Sequence, residues 1–473
     1  MLIVLDKGEK MEKLRILHTN DLHSHFEQFP KIGRYLKRAQ ADKTVDQVLT
    51  FDAGDFMDRS HPLSDATEGW ANIALMNELN YDAITIGNNE GIANSHEVLE
   101  NLFKDANFPV VLANLYEEDE KIPQWATEYQ IVKTKMKTRI GLIGLTAPYY
   151  PTTYEPNGWH VKSVSQSMNN VLKQMKNQYD ILIVISHIGL TLDKYIAENY
   201  PQVNLIIGGH SHDLLSEGLK VNQTWITQTG KWGQNIGDIA LELENHQIKK
   251  IIPKTVLVSN LPDVKGDAEF VNSLKKSGEN ILEGRQIADL PKKFADNQDE
   301  IIQAALKAIS EAANTNLAVL NSGLFLTNTR AGIFTQADLQ ALLPHPMHVV
   351  RTKLLGKDLW RLIMEMEKNR HFLQKFHQVG MSFRGKIFGN IIYKGIKVDL
   401  SSRTVYINGC ELDFQKEYVI AVLDHHVLVP FFPTLSIMGE NDFLFPDYLK
   451  TVVAKYLSKK YPLKKRGEQD GKK

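Results

Sequence analysis

The chain has 473 residues, of which 43% are hydrophobic and 23% charged, and its formal net charge is −1. This length predicts two or three domains, and the balanced charge excludes a general electrostatic attraction to nucleic acid or to an anionic membrane. Cys410 is the single cysteine, so an intramolecular disulfide is excluded as well.

The first residues do not have the pattern of an export signal. Residues 1–5 are apolar, but Asp6, Lys7 and Glu9 follow directly, and such a short, charged segment does not match a signal peptide. No run of about 18 apolar residues predicts a membrane span. We therefore predict a cytoplasmic protein without a membrane partner.

Short apolar runs predict β-strands through the first half of the chain. In chain order they cover residues 14–17, 48–51, 83–86, 109–113, 139–145, 180–185 and 203–207. The runs are rich in Ile, Val and Leu and lack a clean alternation with polar residues, which is typical of strands buried on both faces. Residues 70–79 and 163–176 have helical spacing and lie between strands. This succession predicts a layered α/β fold.

Side chains that bind metals follow these strands in a fixed order. They are Asp21, His23, Asp55, Asn88, His187, His210 and His212. At the ends of strands they would converge on one edge of a sheet, as a two-metal hydrolase requires. Carboxylate, imidazole and amide oxygen together suit two divalent ions such as Mn²⁺, Zn²⁺, Fe²⁺ or Co²⁺. The absence of thiolates disfavours a structural zinc site, and the histidines disfavour calcium.

Each of these residues alone has a simpler interpretation. An Asp or Asn after a strand is usually a turn former or a helix cap, and a lone histidine near a sheet edge is more often hydrogen-bonded structure than a ligand. The ordered set favours a site, because convergent ligands define one.

The order and spacing resemble the calcineurin-like metallophosphoesterase superfamily and, within it, the 5′-nucleotidases. The matching motifs are Asn20-Asp21-Leu22-His23, Gly54-Asp55, Gly87-Asn88, Ser186-His187 and Gly209-His210-Ser211-His212. The ligand sets that the resemblance implies are Asp21, His23 and His212 for one ion, Asn88, His187 and His210 for the other, and Asp55 as the bridge. It also implies in-line attack on phosphorus by a hydroxide between the two ions.

One motif departs from the family. In the family this motif is Gly-Asn-His-Glu, followed by an Asp two residues after the Glu. The His and the Asp form a dyad that contacts the phosphate and assists the leaving group. Asn89 and Ile92 occupy these positions here. Asparagine donates a hydrogen bond to a phosphoryl oxygen but delivers no proton at neutral pH. The Gly-Asn-Asn-Glu form resembles a branch of the family described as predicted nucleotidases, the YunD-type proteins.

Three explanations of this departure stay open. The enzyme is slow on alkyl phosphate esters, or another residue such as His25 donates the proton, or the leaving group is an anhydride phosphate that needs none. We predict metal-dependent hydrolysis of nucleotides. The alternatives are a 2′,3′-cyclic phosphodiesterase, a sugar-nucleotide pyrophosphatase, and a non-catalytic protein that binds metal and nucleotide. No protein or nucleic-acid partner is predicted.

The second half predicts a separate domain. Residues 261–289 are polar and helical in spacing, as in a connection. The predicted organisation is a catalytic domain at residues 12–258, a connection at 259–290, a C-terminal domain at 291–458 and a basic tail at 459–473. The third segment resembles the smaller α+β C-terminal domain of 5′-nucleotidases, which binds the nucleoside.

Within this domain, Asn321-Ser322-Gly323 matches the family's Asn-x-Gly signature, which implies that Asn321 and Gly323 bind substrate. The family's arginine two residues after that glycine is replaced by Phe325, and we predict Arg330 as its substitute.

Aromatic residues of the same domain predict a base clamp. Phe376 and Phe383 would face Phe443, and base stacking is worth about 1–3 kcal/mol, although a Phe in such a domain is more often core. His425 and His426 look like metal ligands, but neighbours on a strand point to opposite faces. We interpret them as structural.

Overall fold

The computed structural model describes residues 11–148, 153–380 and 382–464. These residues divide into two compact units at residues 275 and 276, called the N-terminal and C-terminal units below. The N-terminal segment 1–10 and the end of the predicted basic tail, 465–473, lie outside the described residues.

The N-terminal unit alternates strands with helices. Its strands are β1 Met11–Thr19, β2 Gln47–Asp52, β3 Ala83–Ile84, β4 Val110–Val111, β5 Leu115–Glu117, β6 Ala126–Thr127, β7 Tyr129–Lys133, β8 Arg139–Thr146, β9 Trp159–Val161, β10 Ile181–His187, β11 Leu205–Gly208, β12 Leu219–Val221, β13 Thr224–Thr227, β14 Asn235–Glu244 and β15 Gln247–Leu257. Its helices are α1 Phe29–Gln40, α2 Pro62–Ala66, α3 Trp70–Asn77, α4 Asn88–Gly91, α5 His96–Leu102, α6 Val164–Gln174 and α7 Leu190–Asn199. Helix α8, Asp267–Glu283, crosses the division between the units and lies within the predicted connection.

Two sheets organise this unit. The strand order is β15-β14-β1-β2-β3-β4-β6 in the first and β12-β13-β11-β10-β8-β7 in the second. Strands β1 to β4 run parallel, as do β8, β10, β11 and β13. Because parallel neighbours end at the same edge, each sheet gathers along one edge the residues that follow its strands.

Apolar side chains join these sheets face to face. One core cluster contains Ile16 and Phe51 of the first sheet together with Ile183 and Ile207 of the second, all fully buried. The outer face of the first sheet packs against α1, α3 and α5, and that of the second against α6 and α7. The central strands, such as β10 and β11, are thus buried on both faces, which explains their apolar runs. The predicted layered α/β fold is confirmed.

The C-terminal unit is smaller and contains both strands and helices. Its strands are β16 Gln286–Leu290, β17 Leu317–Asn321, β18 Gly332–Thr335, β19 His348–Leu355, β20 Ile391–Lys394, β21 Ile396–Asp399, β22 Thr404–Ile407, β23 Cys410–Glu411, β24 Glu417–Leu423 and β25 Glu440–Tyr448. Its helices are α9 Gln298–Ala312, α10 Gln336–Leu342, α11 Gly356–Leu373, α12 Asp424–Leu428, α13 Pro433–Met438 and α14 Leu449–Lys460. The central sheet has the order β20-β17-β24-β19-β25, with α9 and α14 on one face and α11 and α13 on the other. The predicted α+β character of this domain is confirmed.

One local prediction is wrong. His425 and His426 lie not on a strand but in helix α12, directly after β24. Their side chains do not point to opposite faces, because their ring centroids lie 4.0 Å apart. None of the helices in the described part of the chain is long and apolar enough to span a bilayer.

Candidate metal centre

The predicted ligands lie where parallel strands end. They are Asp21 and His23 after β1, Asp55 after β2, Asn88 after β3, His187 at the end of β10, and His210 with His212 after β11. The two sheets meet here, since the backbone N–H of His210 lies 3.1 and 3.0 Å from the two carboxylate oxygens of Asp21. The structure therefore brings loops from both sheets to one place.

A first group joins Asp21, His23 and His212. The Nε2 atoms of the two histidines lie 3.0 Å apart. Asp21 Oδ1 lies 3.7 Å from Nε2 of His23 and 3.4 Å from Nε2 of His212. Two nitrogens that each lie about 2.0–2.1 Å from a single ion are separated by roughly this distance, so the arrangement suits a shared cation.

A second group is centred on Asp55. Its Oδ2 lies 3.3 Å from Nε2 of His187 and 3.7 Å from Nε2 of His23. One carboxylate oxygen thus lies between histidines of the two predicted ion sites, where a bridging ligand would be needed. On the other side, His210 Nδ1 lies 2.9 Å from Asn88 Oδ1.

The surroundings of His187 test whether a cation fits. The side chain is fully buried and its Nδ1 lies 2.6 Å from the carbonyl oxygen of Ala53. Its Nε2 makes no hydrogen bond within the described residues, and an unsatisfied buried polar atom is costly. A histidine that donates from one nitrogen and keeps the other for an ion is the usual arrangement in metal sites. The donor set therefore fits a divalent metal.

The charges of the cluster also favour a cation. Burial raises the pKa of Asp21, but His212 and His23 outweigh it and hold that pKa well below its usual value. Burial likewise raises the pKa of Asp55, but His187 lowers it to about 2. Both shifts keep the carboxylates in the ionised form that binds a cation.

Left-handed backbone conformations concentrate at the ligands. Positive φ angles occur at Asp21 (51°), His23 (51°), Asp55 (53°), His210 (75°) and His212 (60°). Such conformations cost about 1–3 kcal/mol each for a non-glycine residue and cluster at functional sites. A Cβ at Gly87 would lie 2.0 Å from Asp55 Oδ1, so the close approach there requires glycine.

Glu90 holds the loops that carry Asp55 and Asn88. Its buried carboxylate accepts the backbone N–H groups of Gly87, Asp55 and Met57 at 2.8, 2.9 and 3.0 Å. Burial, followed by the charge of Asp55, raises its pKa to about 6. The shape of the centre thus depends on a carboxylate outside the ligand set.

Replacement of Glu90 by alanine is expected to destabilise the N-terminal unit. Three buried N–H groups would lose their acceptor, at about 1–3 kcal/mol each, so we expect the melting temperature to fall by at least roughly 6 °C. Differential scanning calorimetry measures this, with the exposed Glu97 on α5 replaced by alanine as the control. Equal melting temperatures for the two variants would contradict the assigned role.

Asn89 faces the ligands. Its backbone N–H donates to Asp55 Oδ1 at 2.7 Å, and its side-chain Nδ2 donates to Asp55 Oδ2 at 2.8 Å and lies 3.0 Å from His23 Nδ1. Ile92 is partly buried and packs against an apolar core cluster. In this conformation Asn89 orients two predicted ligands, and no carboxylate stands at the position of Ile92.

His25 lies at the edge of the cluster. Its side chain is 43% exposed, and Nδ1 lies 3.6 Å from Glu27 Oε2. The imidazole lies over Trp232, with ring centroids 4.7 Å apart. Burial lowers the pKa of His25 below its usual value.

Asn321 is enclosed in the C-terminal unit. Its Nδ2 donates to the carbonyl of Phe388 at 2.7 Å, and its Oδ1 lies 3.1 Å from Nε2 of both His425 and His426. A Cβ at Gly323 would lie 1.8 Å from a carbonyl oxygen. These residues form a buried polar junction in this structure.

The residues of the predicted clamp pack separately. Phe383 stacks on His345 with ring centroids 5.2 Å apart. Phe376 packs against an aromatic neighbour at 5.0 Å, and Phe443 is buried in the core. Within the described residues, no ring contact joins the three phenylalanines to one another.

Arg330 lies at the surface of the same unit. Its guanidinium is 64% exposed and makes an ion pair with Asp338 at 3.0 Å. Its interaction with a substrate phosphate stays a prediction.

Sequence reasoning missed three supporting groups. Asp58 Oδ2 lies 3.7 Å from His23 Nδ1, Glu90 holds the loop backbone, and the Ala53 carbonyl contacts His187. Glu90 was visible as the last residue of the Gly-Asn-Asn-Glu motif. No motif around Asp58 distinguishes it from a turn residue, and the contact of a backbone carbonyl cannot be predicted from the identity of a residue.

Two family models match the chain. Residues 14–214 match the calcineurin-like phosphoesterase model, and residues 285–428 match the model of the 5′-nucleotidase C-terminal domain. The first range contains the whole metal cluster, and the second contains Asn321 and Gly323.

Individual proteins agree with these models. The uncharacterized metallophosphoesterase YunD of Bacillus subtilis strain 168 is 33% identical over 94% of this chain and 98% of its own length. A 5′-nucleotidase of Vibrio cholerae is 24% identical over 75% of each chain. The 5′-nucleotidase precursor of Thermus thermophilus superposes with a TM-score of 0.59 at 19% identity, over 95% of this chain and 97% of its own. The last similarity supports the fold alone.

Proposed function

Because the chain belongs to the calcineurin-like metallophosphoesterases with a 5′-nucleotidase C-terminal domain, it is a metal-dependent phosphoester hydrolase, and we propose that it hydrolyses nucleotides at two divalent ions. The observation that carries the proposal is the position of Asp55 Oδ2, between Nε2 of His23 and Nε2 of His187. The proposed ligands of one ion are Asp21, His23 and His212, those of the other are Asn88, His187 and His210, and Asp55 is shared. Mn²⁺, Zn²⁺, Fe²⁺ and Co²⁺ all suit these donors.

When bound, divalent ions polarise the phosphoryl group and make water a better nucleophile at neutral pH. The chain's own residues then position the reaction. Asn89 keeps Asp55 in place through two hydrogen bonds, and its amide is the proposed donor to a phosphoryl oxygen. Glu90 fixes the backbone on which both residues lie. Preorganised donors of this kind stabilise charge that develops in the transition state.

The leaving group is the point on which substrate choice depends. Asn89 delivers no proton, and general acid assistance is worth about 10²–10⁴-fold in rate. His25 is the proposed alternative donor. We propose a preference for anhydrides, whose departing phosphate needs no proton, over nucleoside monophosphates.

The experiment that tests this function is a substrate comparison with Mn²⁺. AMP, ADP, UDP-glucose and a 2′,3′-cyclic nucleotide are incubated with the protein, and the products are separated by ion-exchange chromatography. We expect ADP or UDP-glucose to be cleaved with a higher kcat/KM than AMP. Equal values for AMP and the anhydrides would contradict the preference, and cleavage of the cyclic nucleotide above all others would favour the cyclic phosphodiesterase.

A non-catalytic role is the second candidate, motivated by the missing dyad. Isothermal titration with a nonhydrolysable nucleotide separates the two. Binding without turnover of any substrate would favour the binding protein.

A further inference from the structure

A loop of the N-terminal unit, residues 229–234, lies against the metal centre. The backbone N–H of Trp232 donates to the carbonyl of Asp21 at 2.7 Å. The N–H of Gly230 donates at 2.9 Å to the carbonyl of Asp213, which follows the last predicted ligand. The first and the last ligand segments therefore both hold this loop.

Trp232 occupies the loop in a strained conformation. Its φ angle is 62°, which disfavours a bulky side chain, and the neighbouring Gly230 and Gly233 are also left-handed, at 76° and 64°. The side chain is nonetheless 38% exposed, so core packing does not account for it. Strained backbone conformations cluster at functional sites, so this residue points to a role beside the reaction centre.

The neighbours of Trp232 suit a nucleotide. His25 lies over the indole with 4.7 Å between ring centroids, and Nζ of Lys231 lies 4.1 Å from the ring centroid. A cavity of about 410 Å³ adjoins His25, and its lining includes the predicted ligand His23 together with His61. Small-molecule sites have volumes of this order. The cavity thus connects His25, whose ring packs against Trp232, to the proposed reaction centre.

Two of the three predicted clamp residues, Phe383 and Phe443, offer no such surface in this structure, whereas Phe376 is partly buried. Phe383 is 4% exposed and Phe443 is 8% exposed. Trp232 and His25 are 38% and 43% exposed. Among these four rings, the accessible ones belong to the N-terminal unit.

We propose that His25, backed by Trp232, forms a stacking surface for the nucleobase of the substrate within the catalytic unit itself. This inference rests on the proposed nucleotide substrate. The base would lie against His25 on the cavity side, with Trp232 behind the imidazole, and Lys231 would attract the negative charge of the phosphates. Stacking accepts every base because every base has a π face, so the surface favours nucleotides over base-free phosphates without selecting one base.

The test uses AMP and ribose 5-phosphate, which share the reacting ester and differ in the base. Trp232→Leu removes the ring that holds His25 in position for stacking, and it is expected to lower kcat/KM for AMP by up to roughly 10-fold, which corresponds to the loss of one base–aromatic stack, through an increased KM. The value for ribose 5-phosphate stays unchanged. Trp232→Phe keeps an aromatic face and restores most of the AMP activity. Trp70→Leu, which removes an exposed tryptophan at the start of α3, is the matched control and leaves both values unchanged.

Two results would overturn the proposal. An equal loss for both substrates would mean that Trp232 acts on the centre through Asp21 rather than by supporting a stacking surface, and an unchanged value for AMP would mean that the Trp232–His25 pair does not hold the base. If the wild-type protein cleaves neither monoester, equilibrium dialysis with labelled adenosine decides the inference, and the proposed function itself fails only if ADP and UDP-glucose are not cleaved either. Binding lost in Trp232→Leu supports the surface, whereas binding retained in the variant or absent from the wild type overturns it.

Discussion

Asp55→Asn is expected to remove turnover while leaving the fold in place. The substitution keeps the shape of the side chain and one carbonyl oxygen for the N–H of Asn89. It removes a negative charge beside His187 and His23 and brings an N–H₂ group where a shared ligand is needed. Loss of one group that stabilises developing charge costs about 10²–10³-fold in kcat, and loss of a shared ligand affects both ions. We expect a fall of at least this size.

The measurement combines product release with the metal content of the purified protein. Asp105→Asn is the control, because it removes a carboxylate at an exposed position of the same unit. We expect bound metal to decrease in Asp55→Asn and to stay unchanged in the control, with similar circular dichroism for both. Full activity in Asp55→Asn would exclude Asp55 as the shared ligand.

The position of these ligands was predictable because it depends on local rules. A polar residue directly after a buried parallel strand must lie at the carboxyl edge of the sheet, and the apolar runs before Asp55 and His187 identify such strands. The sequence did not predict that the ligands come from two different sheets whose edges meet. Asp21 follows a strand of one sheet and His210 a strand of the other, and only their packing shows that the N–H of one contacts the carboxylate of the other.

The C-terminal unit shows the limit of motif reasoning. Asn321 matched a substrate-binding signature, yet its side chain contacts two histidines more than 100 positions later in the chain. Those histidines were expected on a strand because the apolar run of β24 leads into them, but the chain turns into helix α12 at Asp424. Aromatic residues are equally ambiguous, because a Phe that stacks on a base and a Phe that fills a core have the same sequence signal.

Restoring the missing dyad is expected to increase activity. Asn89→His combined with Ile92→Asp would place an imidazole beside the cluster and a carboxylate to orient it. General acid assistance contributes about 10²–10⁴-fold. We expect kcat for AMP to rise by about 10²-fold, at the lower end of this range, because the substitution also removes the hydrogen bond from Asn89 to Asp55 Oδ2. ADP gains less, since its departing phosphate needs no proton. The ratio of AMP to ADP hydrolysis should therefore increase.

The pH dependence of kcat shows whether the introduced histidine acts as a general acid or increases the activity in another way. A histidine that donates a proton must be protonated, so kcat for AMP in the double variant should decrease as the pH rises through the pKa of that residue. Asn89→Gln is the control, because it keeps an amide and adds no titrating group. Loss of activity in the double variant, with its metal content intact, would show that Asn89 is required to hold Asp55. The asparagine would then be a support for the ligands in this chain, and the proton would have to come from His25 or from no residue at all.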